Sequence, residues 1–198
     1  MIGVNFVYMK EKWNILSEKI DPYKGVLCFF LVMILANLFW KLVVQSDEYG
    51  IYVTAFGFDI SAFASSFTRG VVVLAHSFLY DVLGMSVKMN GLSLAFENHE
   101  TILIVWGCAG FKQMFIFTVI MLFSYGPWRH KLWFIPAGVV LCYFLNVFRV
   151  ILLALISYNY LNMLDFFHAY VFKYAFYGII FLVWIFWNEY FGHEKNVK

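Results

Sequence analysis

The sequence predicts an all-α polytopic membrane protein with about four transmembrane helices, accompanying amphipathic helices and a small extracytoplasmic β-hairpin. Three observations predict it. Of 198 residues, 63% are hydrophobic and only 13% charged, where a soluble domain carries roughly 25% charge. That much apolar surface does not fit inside a soluble core of this length, so lipid must cover part of it. Four apolar runs approach the roughly 20 residues that a bilayer crossing needs. Lysines and arginines gather at alternate ends of those runs, as they do when cytoplasmic loops retain positive charge. A net charge of +2 is too small to imply a nucleic-acid partner. Three cysteines are an odd number without a pairing pattern, so no disulfide framework is expected.

Residues 1–24 read as a cytoplasmic interfacial segment, with Phe6, Trp13, Leu16 and Ile20 on the apolar face of a helix over 4–20. The first span is Gly25–Val44. It is followed by VVQSDEYG without a small-residue cleavage pattern, so it reads as an anchor. Residues 45–107 are expected outside the membrane. Within them, Phe63, Phe67, Val71, Leu74, Phe78 and Val82 recur at helical spacing, opposite Asp59, Ser66, Arg69, His76 and Tyr80. An amphipathic helix over 58–84 follows, with a fifth span as the competing reading.

Val87 and Met89, then Leu92, Leu94 and Phe96, alternate with polar neighbours, and Asn90-Gly91 between them signals a tight hairpin. ENHE at 97–100 is a second turn, and Ile102, Ile104 and Trp106 share a face in a third strand that ends at Gly107-Cys108. The second span runs from about Cys108 to Tyr125, the third is Leu132–Leu153, and the fourth is about Tyr170–Tyr190. Residues 108–190 thus carry the remaining spans of one integral membrane domain, 1–198.

The charges set a direction. Lys10, Lys12, Lys19 and Lys24 precede the first span, Arg129 and Lys131 lie in the GPWRHK loop at 126–131, and Lys195 and Lys198 close the tail. The loop SYNYLNMLD has no positive charge. Both termini and the 129–131 loop are therefore expected in the cytoplasm, with 45–107 and the 157–167 loop outside. Lys41 and Lys173 lie at outer span ends, where their chains snorkel to water.

Polar groups at membrane depth are costly and mark functional candidates. Arg149, in FLNVFRVILLAL, is the most isolated, and Asn146 lies three residues earlier on the same helix face. A snorkelling or structurally paired arginine is the bland alternative. Cys108 sits in WGCAGFKQ, where flanking glycines permit close backbone approach and a helix start favours a thiolate. Lys112, one turn on, adds positive charge. A small buried hydrophobe is the ordinary role of a lone cysteine, and it is the reading for Cys28 and Cys142. His168 precedes the fourth span, where a histidine is also an ordinary interfacial residue. Cys108, Arg149 and His168 come from three segments, and the topology puts all three at outer span ends. A thiol, a general base and a fixed cation are what acyl transfer requires. No HExxH, CxxC, P-loop or dinucleotide fingerprint is present, so no metal or cofactor is expected.

Cys108-Ala109-Gly110, Asn146-Val147-Phe148-Arg149 and His168, in this order and topology, give a chain that resembles the exosortase/archaeosortase family over about residues 85–180. The resemblance implies a membrane-embedded cysteine transpeptidase of a compact bacterial type in the cytoplasmic (inner) membrane, its site on the extracytoplasmic face. Its partners would be membrane-anchored proteins bearing a C-terminal sorting signal: a short motif, a transmembrane helix and a basic tail. Cys108 would be the nucleophile, His168 the base and Arg149 the stabiliser of the oxyanion, with Asn146, Gly110 and Lys112 in support. Ala109 stands where the family often has serine, and the chain is shorter than the eight-span members. The alternative is a non-catalytic membrane subunit that binds a partner membrane protein or an anionic lipid-linked glycan at Arg149.

Overall fold

The computed structural model describes residues 24–47, 50–97, 101–160 and 163–192. The interfacial helix expected over 4–20, the terminal lysines and most of the ENHE turn lie outside them. Helix α1 (Lys24–Val43) leads into a three-stranded antiparallel sheet of β1 (Val44–Ser46), β2 (Val53–Ala55) and β3 (Phe58–Asp59). Helix α2 (Ser61–Ser77) continues through a π-helical turn to Val82. A second antiparallel sheet follows, of β4 (Val87–Asn90), β5 (Ser93–Phe96) and β6 (Thr101–Leu103). A 3₁₀ turn (Trp106–Cys108) then precedes α3 (Phe111–Phe123) and α4 (Trp128–Asn159). Last come α5 (Leu164–Phe166), a π-helical turn (Phe167–Val171) and α6 (Phe172–Phe191). This is a mostly helical polytopic membrane protein.

Helix α4 is the spine. Its 32 residues extend about 48 Å at 1.5 Å per residue, well beyond the roughly 30 Å hydrocarbon layer. The Trp128 half packs with α1, α3 and α6 around Phe29, Phe117, Ile120, Phe134, Ile180 and Trp187. The helices alternate in direction. The start of α1 meets the end of α6, where Phe29 lies 4.9 Å from Trp184, and the end of α1 meets the start of α3, where Trp40 lies 5.9 Å from Phe111. Gly138 brings α3 close, because the Phe117 ring occupies the space a Cβ would take, 2.1 Å away. The other half of α4 packs with α2 and the second sheet around Val71, Leu79, Leu94, Ile104, Val150 and Ala154. Helix α2 thus stands beyond the four-helix bundle. It starts near the 3₁₀ turn, with Ala64, Trp106 and Ala109 in one cluster, and rises beside the last turns of α4.

Four expectations need correction. The second span is not one long helix: α3 has 13 residues, about 20 Å, too short to cross alone. Left-handed Gly110 stops it at one end and extended Ser124 at the other. Second, the length and hydropathy of a crossing are met by 24–43, 61–82 and 128–159. The 61–82 helix is thus apolar enough to span, while Lys173, Asn188 and Glu189 dilute α6.

Third, only part of the predicted face of α2 is buried, at Val71 and, partly, Phe67. Ala64, Thr68, Val71, Val72 and Ala75 are buried, whereas Phe63, Leu74, Phe78 and Val82 are exposed. Small side chains allow the close approach to α4, which leaves the bulky ones outside. Fourth, Lys131 is not a loop charge. It is 3% exposed, and its Nζ donates to the carbonyls of Leu122 (3.0 Å) and Ser124 at the end of α3.

The β4–β5 loop is Gly91-Leu92, one residue later than Asn90-Gly91, because Asn90 pairs with Ser93. Gly91 meets the demand for positive φ (63°) at the first loop position. The β1–β3 sheet has no counterpart in the sequence reading, since its two- and three-residue strands are too short to show alternation.

Candidate active site

The site lies where the second sheet, the 3₁₀ turn, α4 and the π-helical turn meet. Strand β6 runs into the 3₁₀ turn, whose backbone is closed by hydrogen bonds from Cys108 N–H to Val105 (2.8 Å) and from Ala109 N–H to Trp106 (2.9 Å). Gly110 follows at φ 84°, and α3 begins after it. Cys108 is therefore held in a tight turn ahead of the helix, not on its first turn.

Asn146 fixes that turn from α4. It is fully buried, and its Nδ2 donates to the Cys108 carbonyl at 2.9 Å. The lack of a side chain at Gly110 makes room for it. A Cβ there would lie 2.4 Å from Asn146 Cγ, a separation no pair of carbons tolerates. Asn146 Oδ1 is buried without a hydrogen-bond partner among the described residues.

His168 enters from the π-helical turn. Its Nε2 lies 3.0 Å from Cys108 Sγ, across 60 residues of sequence. At that distance one atom of the pair carries the shared proton. The thiol is half-buried, and burial pushes its pKa up, while the Arg149 guanidinium pulls it back down. Burial thus opposes ionisation of the thiol, and the Sγ–Nε2 contact is the path its proton would take. The helix start expected to favour a thiolate lies beyond Cys108, which precedes the helix, and burial works against ionisation.

Arg149 is 7% exposed, one helical turn from Asn146, and its charge acts on Cys108. Its Nε is buried without a partner among the described residues. Unsatisfied donors of this kind are costly and signal a missing ligand or a strained site.

A cavity of about 210 Å³ opens beside the pair. Cys108 and His168 form part of its wall. The rest is apolar: Leu94, Ile102, Leu103, Ile104, Val105, Val150, Leu153, Ala154 and Leu164. The structure thus brings Cys108, Asn146, Gly110, Arg149 and His168 into one region. Lys112 lines a different cavity, of about 100 Å³, with Trp40, Trp106 and Gly107, and the positive charges of Lys41 and Lys173 act on it. Sequence reasoning missed the pocket wall. Val150, Leu153 and Ala154 follow Arg149 within about a turn, but nothing local sets them apart from the apolar run around them.

A family model described as transmembrane exosortase (Exosortase_EpsH) matches residues 25–188. No curated protein and no solved structure matches the chain.

Proposed function

From the premise that this chain belongs to the transmembrane exosortase family, we propose that it is a cysteine protease or transpeptidase of C-terminal sorting signals, with a thioacyl intermediate. One observation carries the reading: Cys108 Sγ lies 3.0 Å from His168 Nε2, within reach for direct proton transfer.

In the proposed cycle the thiol proton passes to Nε2 as Sγ attacks the carbonyl carbon of the scissile bond. The carbonyl oxygen becomes an oxyanion, stabilised by the guanidinium of Arg149. Collapse breaks the C–N bond, and the leaving amine takes the proton from His168. The product is a thioester on Cys108. A water, amine or hydroxyl nucleophile then gives its proton to His168, attacks the thioester and releases the thiol, which regains the proton. Asn146 acts through Cys108, holding the carbonyl of the nucleophile's own residue.

The partners are membrane proteins with a sorting signal, presented laterally from the bilayer. The Cys108 end of the bundle faces outward from the cytoplasmic membrane, with both termini in the cytoplasm. Lys24 and Arg129, at the opposite end, support this direction. Asn146 is about 27 Å along α4 from Trp128, a depth that supports a position for Cys108 near the outer interface.

The test is intact-mass analysis of purified protein labelled with iodoacetamide, for wild type, Cys108→Ala and His168→Ala. Labelling confined to Cys108 and slowed at least tenfold in His168→Ala is expected. Labelling of Cys108 that ignores His168 would favour the binding subunit, with Arg149 as an anion pocket.

A further inference from the structure

Strand β6 is the edge of its sheet, paired with β5 alone. The register shows which backbone groups are committed. Ile104 N–H donates to Leu92 O at 3.0 Å, so the residues of that parity, Ile102 and Ile104, turn their amides toward β5. Leu103 stands opposite Ser93 in the intervening pair, and in an antiparallel ladder its N–H and C=O point the other way. No backbone partner meets them among the described residues, and Leu103 is 46% exposed. Five residues later the chain reaches Cys108. Ile102, Leu103, Ile104 and Val105 also line the cavity that contains Cys108 and His168.

We propose that β6 is the substrate-docking edge. The segment carrying the scissile bond adds to it as an extended strand, through the free backbone groups of Leu103, and seats an apolar side chain next to the scissile bond in the 210 Å³ cavity. This rests on the cysteine-transpeptidase reading and names the substrate that reading needs. A peptide is cleaved only where its backbone is extended and free of helical hydrogen bonds, and an open strand edge supplies substitute partners while specificity comes from a side-chain pocket. The edge leads directly to the nucleophile, so a strand laid along it brings successive carbonyls toward Sγ. The pocket sets the side-chain class. A cavity of about 150 Å³ holds benzene, so this one accepts a branched aliphatic or aromatic side chain. Among the described residues its wall holds no carboxylate, lysine or arginine, so a charged side chain there would lie against apolar groups.

The test uses tripeptidyl chloromethyl ketones on the full chain in detergent, read by intact mass. In the labelling step a Sγ–CH₂ bond forms, chloride leaves with the C–Cl electron pair, and the thiol proton passes to His168. Rates are expressed relative to the iodoacetamide rate of the same variant. A probe ending in leucine is expected to label Cys108 about 10- to 100-fold faster than one ending in aspartate. Ala154→Leu, which fills the cavity, should remove most of that advantage. Leu103→Pro, which deletes the outward N–H at an exposed edge, should slow the leucyl probe, as should N-methylation of the probe's backbone. Equal relative rates for the two probes, or a leucyl advantage untouched by Ala154→Leu and by N-methylation, would overturn the proposal. The parent reading is decided separately, by whether iodoacetamide labelling of Cys108 depends on His168. A leucyl preference without that dependence would leave a peptide-docking edge on a non-catalytic protein.

Discussion

Gly110→Ala is the most informative single perturbation, because one added carbon strikes the support of Cys108 without touching it. Gly110 has φ 84°, and a Cβ there would lie 2.4 Å from Asn146 Cγ, 2.7 Å from its Cβ and 2.8 Å from its Oδ1. The left-handed backbone costs alanine about 1–2 kcal/mol. Relieving the overlap costs about 1–3 kcal/mol more. If Asn146 swings away, its hydrogen bond to the Cys108 carbonyl (2.9 Å) is lost, for about another 0.5–1.5 kcal/mol. The clash and the lost hydrogen bond are relieved by one movement and overlap, whereas the backbone cost stands apart, so the expected destabilisation is about 2–5 kcal/mol.

The functional effect follows from the geometry. Without Asn146 the 3₁₀ turn shifts, and a displacement of about 1 Å is enough to uncouple Sγ from His168, at a cost of up to roughly 100-fold. Denaturant unfolding in detergent measures the first effect, and iodoacetamide labelling of Cys108 the second. Gly107→Ala is the control. A Cβ there meets nothing within 4 Å, so it should stay within about 0.5 kcal/mol of wild type. A Gly110→Ala protein as stable as that control, with unchanged labelling, would refute the reasoning.

Two further outcomes are expected. Burial raises the Cys108 pKa and Arg149 opposes the rise; the thiolate is the reactive form, so labelling should increase with pH through a midpoint above the ordinary thiol value of about 8.5. Arg149→Gln removes the opposing cation and should move the midpoint higher still; a downward move in a pH series would contradict the assigned charge coupling. Lys131→Met leaves the Leu122 and Ser124 carbonyls without their donor and should lower unfolding stability by about 2–3 kcal/mol. A surface lysine would instead give a change within about 0.5 kcal/mol, which unfolding titration separates.

Much of the architecture is written locally. The 25–44 run is apolar enough for lipid and differs from α1 by one residue at each end. Alternation over 87–96 marks two strands, since period-2 burial needs only one covering face. Cys108, Asn146 and Arg149 stand out because polar or reactive groups are rare in their surroundings. The pairing of Cys108 with His168 was legible only as shared position at span ends. Its 3.0 Å separation depends on the π-helical turn that precedes α6, and no short-range pattern in FFHAYV announces that turn.

Composition and periodicity alone determined that this chain lives in a bilayer, how its apolar runs are ordered, and which few residues are candidates for chemistry. Each of those follows from the cost of placing a side chain in lipid or water, a cost paid residue by residue. Tertiary structure alone decided which face of α2 is buried, where α3 stops, that Lys131 serves α3 carbonyls, and that an apolar pocket adjoins the Cys108–His168 pair. These depend on what lies opposite in space. Val72 and Ala75 are buried because α4 comes close enough to need small neighbours, and Gly110 is required because Asn146 fills the space beside it. A helix presents several usable faces, and only the partner that packs against it selects one.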